Sequence, residues 1–165
     1  MVAYILRKKQ VCLCVRSHPD NERTKQLMQE CDTNVILCGH THIQQTIEHA
    51  GKVVYNPGAL GVSLYAQGKA QFMILTGEQG AWSAEYVSLS YDVERVIQDL
   101  HTAGLDVYAP SWSTVTEDLL RYGDVAHGHV LNKAMELCRA AEGVCVWPNI
   151  DEKYWQQAVD MMLSR

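Results

Sequence analysis

An apolar run that stops at a glycine and is followed at once by two histidines constrains this chain more than any other feature. Asn34-Val35-Ile36-Leu37-Cys38 reads as a buried strand, and Gly39-His40-Thr41-His42 comes directly after it. The chain then passes through Val53-Val54-Tyr55-Asn56-Pro57-Gly58-Ala59-Leu60-Gly61. If the backbone stays extended past Gly39, period-two geometry puts both imidazoles on one side of it. Neutral imidazole is the commonest side-chain ligand of divalent transition metals, and a strand end opening into a loop is a common place for a site. The Asn56-Pro57-Gly58 turn, closing the next strand, should sit beside that loop. By itself a His-x-His pair is more often two unrelated surface or core residues.

The longer string is far more specific. Strand, Gly-His-Thr-His, hairpin and Val-Val-Tyr-Asn-Pro-Gly-Ala-Leu-Gly together resemble the last motif of the calcineurin-like metallophosphoesterases, most of all their small bacterial phosphodiesterase branch, over about residues 11–90. The resemblance implies a hydrolase, a metal-dependent phosphoesterase or phosphodiesterase. In it two divalent ions about 3.5–4 Å apart activate a water that attacks phosphorus in line. It implies metal ligation by His40 and His42, and imidazole accepts manganese, iron, zinc or nickel. The fold it implies is α/β (α+β), part of a four-layer αββα sandwich. Residues 1–90 would be the C-terminal half of that sandwich, and 91–165 a helical extension packed on the same domain.

The same resemblance exposes what the sequence lacks. Family members draw an Asp-x-His, a Gly-Asp-x-x-Asp and a Gly-Asn-His motif from their first half, and none of these is present here. The family's isolated upstream histidine would fall where Val11-Cys12-Leu13-Cys14-Val15 runs into Arg16-Ser17, so Arg16 stands in its place. His18, two residues on, reads better as the lead-in to a helix than as a ligand. Without carboxylates, two neutral histidines supply little charge to hold two dications against their mutual repulsion. Two functions of different class follow. Either the chain serves a metal-dependent phosphoesterase whose remaining ligands come from elsewhere, or it is a non-catalytic remnant or interaction domain that binds one metal weakly at most. Its substrate, if active, would be a phosphorylated small molecule or a phosphodiester.

Composition narrows the partners. The 165 residues carry a formal net charge of −5 and a pI near 5.8, which does not favour general nucleic-acid or anionic-membrane binding. No apolar stretch approaches the roughly 20 residues that span a bilayer, and Val2 to Leu6 is too short for a signal peptide's apolar core. Six cysteines, at 12, 14, 31, 38, 138 and 145, lie mostly inside apolar runs with no Cys-x-x-Cys. Such a set reads as buried free thiols in a reducing, cytoplasmic compartment.

Along the chain, Val2 to Leu6 and Val11 to Val15 read as strands, Thr24 to Cys31 as a helix, and Val35 to Cys38 as the next strand. The unit Val11–Cys38 should be a right-handed parallel crossover. Ile43 to Glu48 and Val53 to Asn56 form an antiparallel pair across His49-Ala50-Gly51-Lys52, and Ala70 to Leu75 pairs with Ala81 to Leu89. From Asp92 the period turns helical: a face from Val93 to Leu100, a second through Val115, Leu119 and Leu120, a third from Val130 to Ala141, and a fourth from Asp151 to Leu163. Leu131, Met135 and Leu137 are expected in the core. Half of a two-sheet sandwich would leave an apolar face open. A second copy of the chain, a separate N-terminal polypeptide or the helical extension would have to cover it.

Two other groupings compete for function. Gly123-Asp124-Val125-Ala126-His127-Gly128-His129 joins a Gly-Asp to a second His-x-His, but it links two helices, and His127 reads as an N-terminal helix residue or a loop residue. Trp112, Trp147 and Trp155 either line a groove or pack the helical extension onto the sheet.

Overall fold

The computed structural model describes residues 22–164, and they separate into two units. Residues 22–61 and 70–89 form a mixed α/β unit, while 62–69 and 90–164 form a helical one. The α/β class is therefore as expected. The strands expected at Val2 to Leu6 and Val11 to Val15, and the crossover that begins there, lie outside the described residues.

In the α/β unit, α1 (Glu22–Glu30) buries Thr24 and Met28. Asp32-Thr33-Asn34 breaks the helix, and the Val35 N–H donates to the Thr33 hydroxyl at 3.3 Å. Three strands follow: β1 (Val35–Leu37), β2 (Gln44–His49) and β3 (Lys52–Pro57). They form one sheet in the order β1-β3-β2, with β1 parallel and β2 antiparallel to β3. Ala50 (φ 50°) and Gly51 (φ 74°) make the β2–β3 turn. Two positive-φ residues are what a two-residue turn matched to strand twist requires. Met28, Cys38, Ile47 and Val54 close a small core against α1, with Ile36 beside them.

A second sheet is the hairpin β4 (Ala70–Glu78) and β5 (Ala81–Leu89), paired in register from Ala70–Leu89 to Glu78–Ala81. It is joined to the first through side chains. Gln44 Nε2 donates to the carbonyls of Phe72 (3.0 Å) and Val87 (3.1 Å). The Tyr86 hydroxyl meets Thr46 Oγ1 at 2.8 Å and donates to the Gln45 carbonyl at 2.5 Å. Burial pushes the Tyr86 phenol above its ordinary range, so it remains a donor at any physiological pH.

The helical unit contains α2 (Val93–Thr102), α3 (Leu105–Tyr108), α4 (Pro110–Arg121), α5 (His127–Glu142) and α6 (Glu152–Met162). Asp92 and Asp151 cap α2 and α6 through their side chains, accepting from the N–H groups of Arg95 and Lys153. Pro110 stands in the first turn of α4, where a missing N–H costs nothing. The core gathers Val115, Leu119, Val130, Ala134, Cys138, Tyr154, Trp155, Ala158 and Val159. On α5 the fully buried stripe is Val130, Ala134 and Cys138. Leu131 and Leu137, expected in the core, are only partly buried beside it, and Met135 is half-buried. Small residues at Ala134 and Ala158 let α5 and α6 approach closely, so the tight seam runs one residue before Leu131 and Met135. Residues 62–69 join this unit because Gly123 (φ +72°) accepts the Tyr65 N–H at 2.6 Å. A Cβ at Gly123 would lie 2.8 Å from the Ser63 carbonyl oxygen.

Candidate functional site

The histidine loop does not continue the strand. β1 ends at Leu37, β2 starts at Gln44, and both His40 (φ 75°) and His42 (φ 59°) take the left-handed conformation. The alternation that would put two imidazoles on one side of an extended backbone therefore does not operate here. That expectation is overturned by the turn, not by the residue types. Left-handed backbone is sparsely populated by non-glycine residues, although His tolerates it several-fold better than most. Two such residues in one short loop need surrounding structure to hold them.

That structure is Asn56, which is only 1 % exposed. Its Nδ2 donates to the Thr41 hydroxyl at 2.8 Å and to the Gly39 carbonyl at 3.3 Å. Its Oδ1 accepts the Gly58 N–H at 3.1 Å. One buried amide thus ties the loop to the turn closing β3, and the Asn-Pro-Gly turn lies beside the histidine loop as the sequence suggests. One further ladder bond, Cys38 N–H to the Tyr55 carbonyl at 2.9 Å, extends the pairing of β1 with β3 up to the glycine. Gly58 (φ +83°) is required in the same turn. A Cβ there would stand 2.5 Å from Gln71 Oε1 and 2.9 Å from Gln71 Cβ.

On this framework His40 is exposed and His42 half-buried. The chemistry on offer is a pair of imidazoles presented at a strand end. Tested against a binuclear divalent centre, the described residues do not suffice: nowhere among them do three or more His, Cys, Asp or Glu side chains gather into a possible metal site. Two neutral donors leave the repulsion of paired dications uncompensated. His18 and Arg16, the other positions at issue, lie outside the described residues. Sequence reasoning missed Asn56 as the residue that sets the loop. The available signal was an asparagine at the end of the strand that pairs with the one leading into the histidines.

The competing groupings resolve into packing. His127 opens α5, stacks on Trp112 with centroids 4.1 Å apart, and has Nε2 2.8 Å from the Thr116 hydroxyl. That hydroxyl donates to the Trp112 carbonyl, so its oxygen accepts from the imidazole, which fixes the proton on Nε2. Trp155 meets Trp112 and Trp147 edge to face at 5.9 and 6.4 Å. Among the described residues, no helix is long and apolar enough to cross a membrane.

Residues 2–80 match the family model described as a calcineurin-like phosphoesterase superfamily domain. That segment is thus similar to this superfamily, whose members are generally dependent on divalent metal. Among solved structures, a double mutant of Vps29 from Entamoeba histolytica is similar at 22 % sequence identity and a TM-score of 0.28, covering 43 % of this chain and 48 % of that one. The chain thus spans about half the length of the solved protein it matches. No curated protein matches the sequence.

Proposed function

We propose that the α/β unit carries the histidine-bearing part of a metal-dependent phosphoester hydrolysis site, with His40 and His42 as two of its ligands. The observation that carries this reading is the Asn56 clamp. A buried side chain commits both its donor and its acceptor atoms to holding a loop whose two histidines occupy a conformation few residues adopt. Held strain of this kind concentrates at sites rather than at ordinary turns. The superfamily match over residues 2–80 supports the same chemistry. The carboxylate ligands come from another chain or from a longer gene product of which these residues are a part, and the substrate is a phosphorylated small molecule or phosphodiester. Alone, in its reducing cytoplasmic setting, the chain binds one ion and does not turn over.

The test is hydrolysis of bis(p-nitrophenyl) phosphate in manganese buffer by the purified chain and by His42→Ala prepared identically. Equal background in both is expected. Activity in the parent that disappears in the variant would overturn the claim that the site is incomplete. A second reading, a non-catalytic domain of the same fold, is favoured by the lack of any third ligand near the histidines among the described residues. It shares the equal background but requires no metal affinity at His40 and His42, so a metal titration separates the two.

A further inference from the structure

Three tryptophans of the helical unit meet where α4 and α6 begin. Trp155 is 8 % exposed and lies edge to face against both Trp112 and Trp147. Packing accounts for Trp155 but not for its two neighbours, which remain 38 % and 53 % exposed. Both are held in place. Trp112 stacks on His127. Trp147 stands on a return fixed by the bridge between Val146 and Asn149 and by the Asn149 N–H donating to the Val146 carbonyl at 2.8 Å. Val144 and Val146, on the same return, are exposed as well.

A carboxylate borders these rings. Glu152 Oε1 accepts the Ser111 N–H at 3.0 Å, which brings an exposed acid to the residue preceding Trp112. Lys153, next along α6, is itself neutralised by Glu142 at 3.1 Å and Asp151 at 3.7 Å. The charge of the whole unit has the same sign as Glu152. Residues 62–69 and 90–164 carry twelve Asp and Glu against six Lys and Arg, a net of −6. Four of the six cations, Arg95, Arg121, Lys133 and Lys153, are ion-paired within the unit. Contiguous exposed apolar residues with a polar border mark an interaction surface. Indole faces and a carboxylate both attract cations, so this surface is complementary to positive charge.

We propose that it binds a cationic segment of another protein, whose Lys or Arg side chains lie over Trp112 and Trp147 and pair with Glu152. The unit's charge repels nucleic acid and anionic membranes. A lone small cation would leave Val144 and Val146 uncovered, whereas the alkyl stems of Lys and Arg and the apolar side chains between them cover both. Because the rings are already fixed, docking orders little on this side of the interface.

The whole chain is titrated into a short fluorescein-labelled peptide in which arginine alternates with leucine, and anisotropy is read at low and at physiological salt. Saturable binding that weakens with salt is expected. Trp147→Ala should weaken it about fivefold or more, and Trp147→Phe, which keeps an aromatic ring, should restore part of the loss. Glu152→Gln still accepts the Ser111 N–H but loses its charge, and should cost more affinity than Asp99→Asn, which removes the same charge from α2. Equal losses in those two variants with none in Trp147→Ala would mean diffuse attraction and overturn the proposal. So would no binding, or equal binding of a peptide with glutamate in place of arginine. A dimer in sedimentation that Trp147→Ala dissolves would assign the surface to a second copy of the chain instead.

Discussion

The Asn56 amide nitrogen lies 2.8 Å from the Thr41 hydroxyl, and this bond ties the end of β3 to the loop carrying His40 and His42. Two strands of one sheet thereby set the conformation of a segment belonging to neither. The loop's shape is a tertiary property, written partly at residue 56.

Asn56→Ala removes both donors and the acceptor that holds the Gly58 N–H, leaving buried partners unpaired. The unit should lose about 2–3 kcal/mol, and the amides of residues 39–43 should exchange much faster than in the parent. Asn56→Asp keeps the acceptor for Gly58 but turns a carboxylate oxygen toward the Gly39 carbonyl, so loop protection should fall there as well. Hydrogen exchange read by mass spectrometry checks both, and unchanged protection at 39–43 would show that the clamp does not set the loop.

Gly58→Ala should be costly for two separate reasons. The φ of +83° strains an L-residue, and the new Cβ would overlap Gln71. A loss of about 2–4 kcal/mol is expected from urea denaturation. Gly51→Ala, at φ +74° but with nothing near its Cβ, should cost only the backbone term, about 1 kcal/mol.

His101 on α2 supplies the pH dependence. Its Nε2 lies 2.8 Å from Glu117 Oε1 on α4, and this bond raises the imidazole above its ordinary value of 6.5. Asp106 adds to the rise, while burial and Arg121 oppose it. Because the folded value is the raised one, the stabilisation is fully present below 6.5 and is lost as pH climbs through the folded value. Thermal melts of the parent should therefore fall from pH 6 to pH 8 more than those of Glu117→Gln. Identical slopes would remove His101 from the account.

Much of this architecture is legible in the chain because local rules decide it. Asp92 and Asp151 announce their helices by capping chemistry, and the two hairpins follow from alternation broken at Ala50-Gly51 and Gln79-Gly80. What resists reading is whatever distant residues decide. Nothing near residue 40 shows that the chain leaves extended geometry there, since the cause is an amide on another strand. The α5 seam on Val130, Ala134 and Cys138 rather than on Leu131 and Leu137 depends on α6 bringing Ala158 against it. The short α3 carries no periodic signal over its four residues.

The central claim is that the clamped loop presents His40 and His42 as metal ligands, and a manganese titration followed by NMR of the imidazole protons tests it most directly. The resonances of these two histidines should broaden first and together, with Asn56→Ala weakening the effect and His42→Ala abolishing it at His40. Broadening at other histidines with these two unchanged, or none at any, would contradict it.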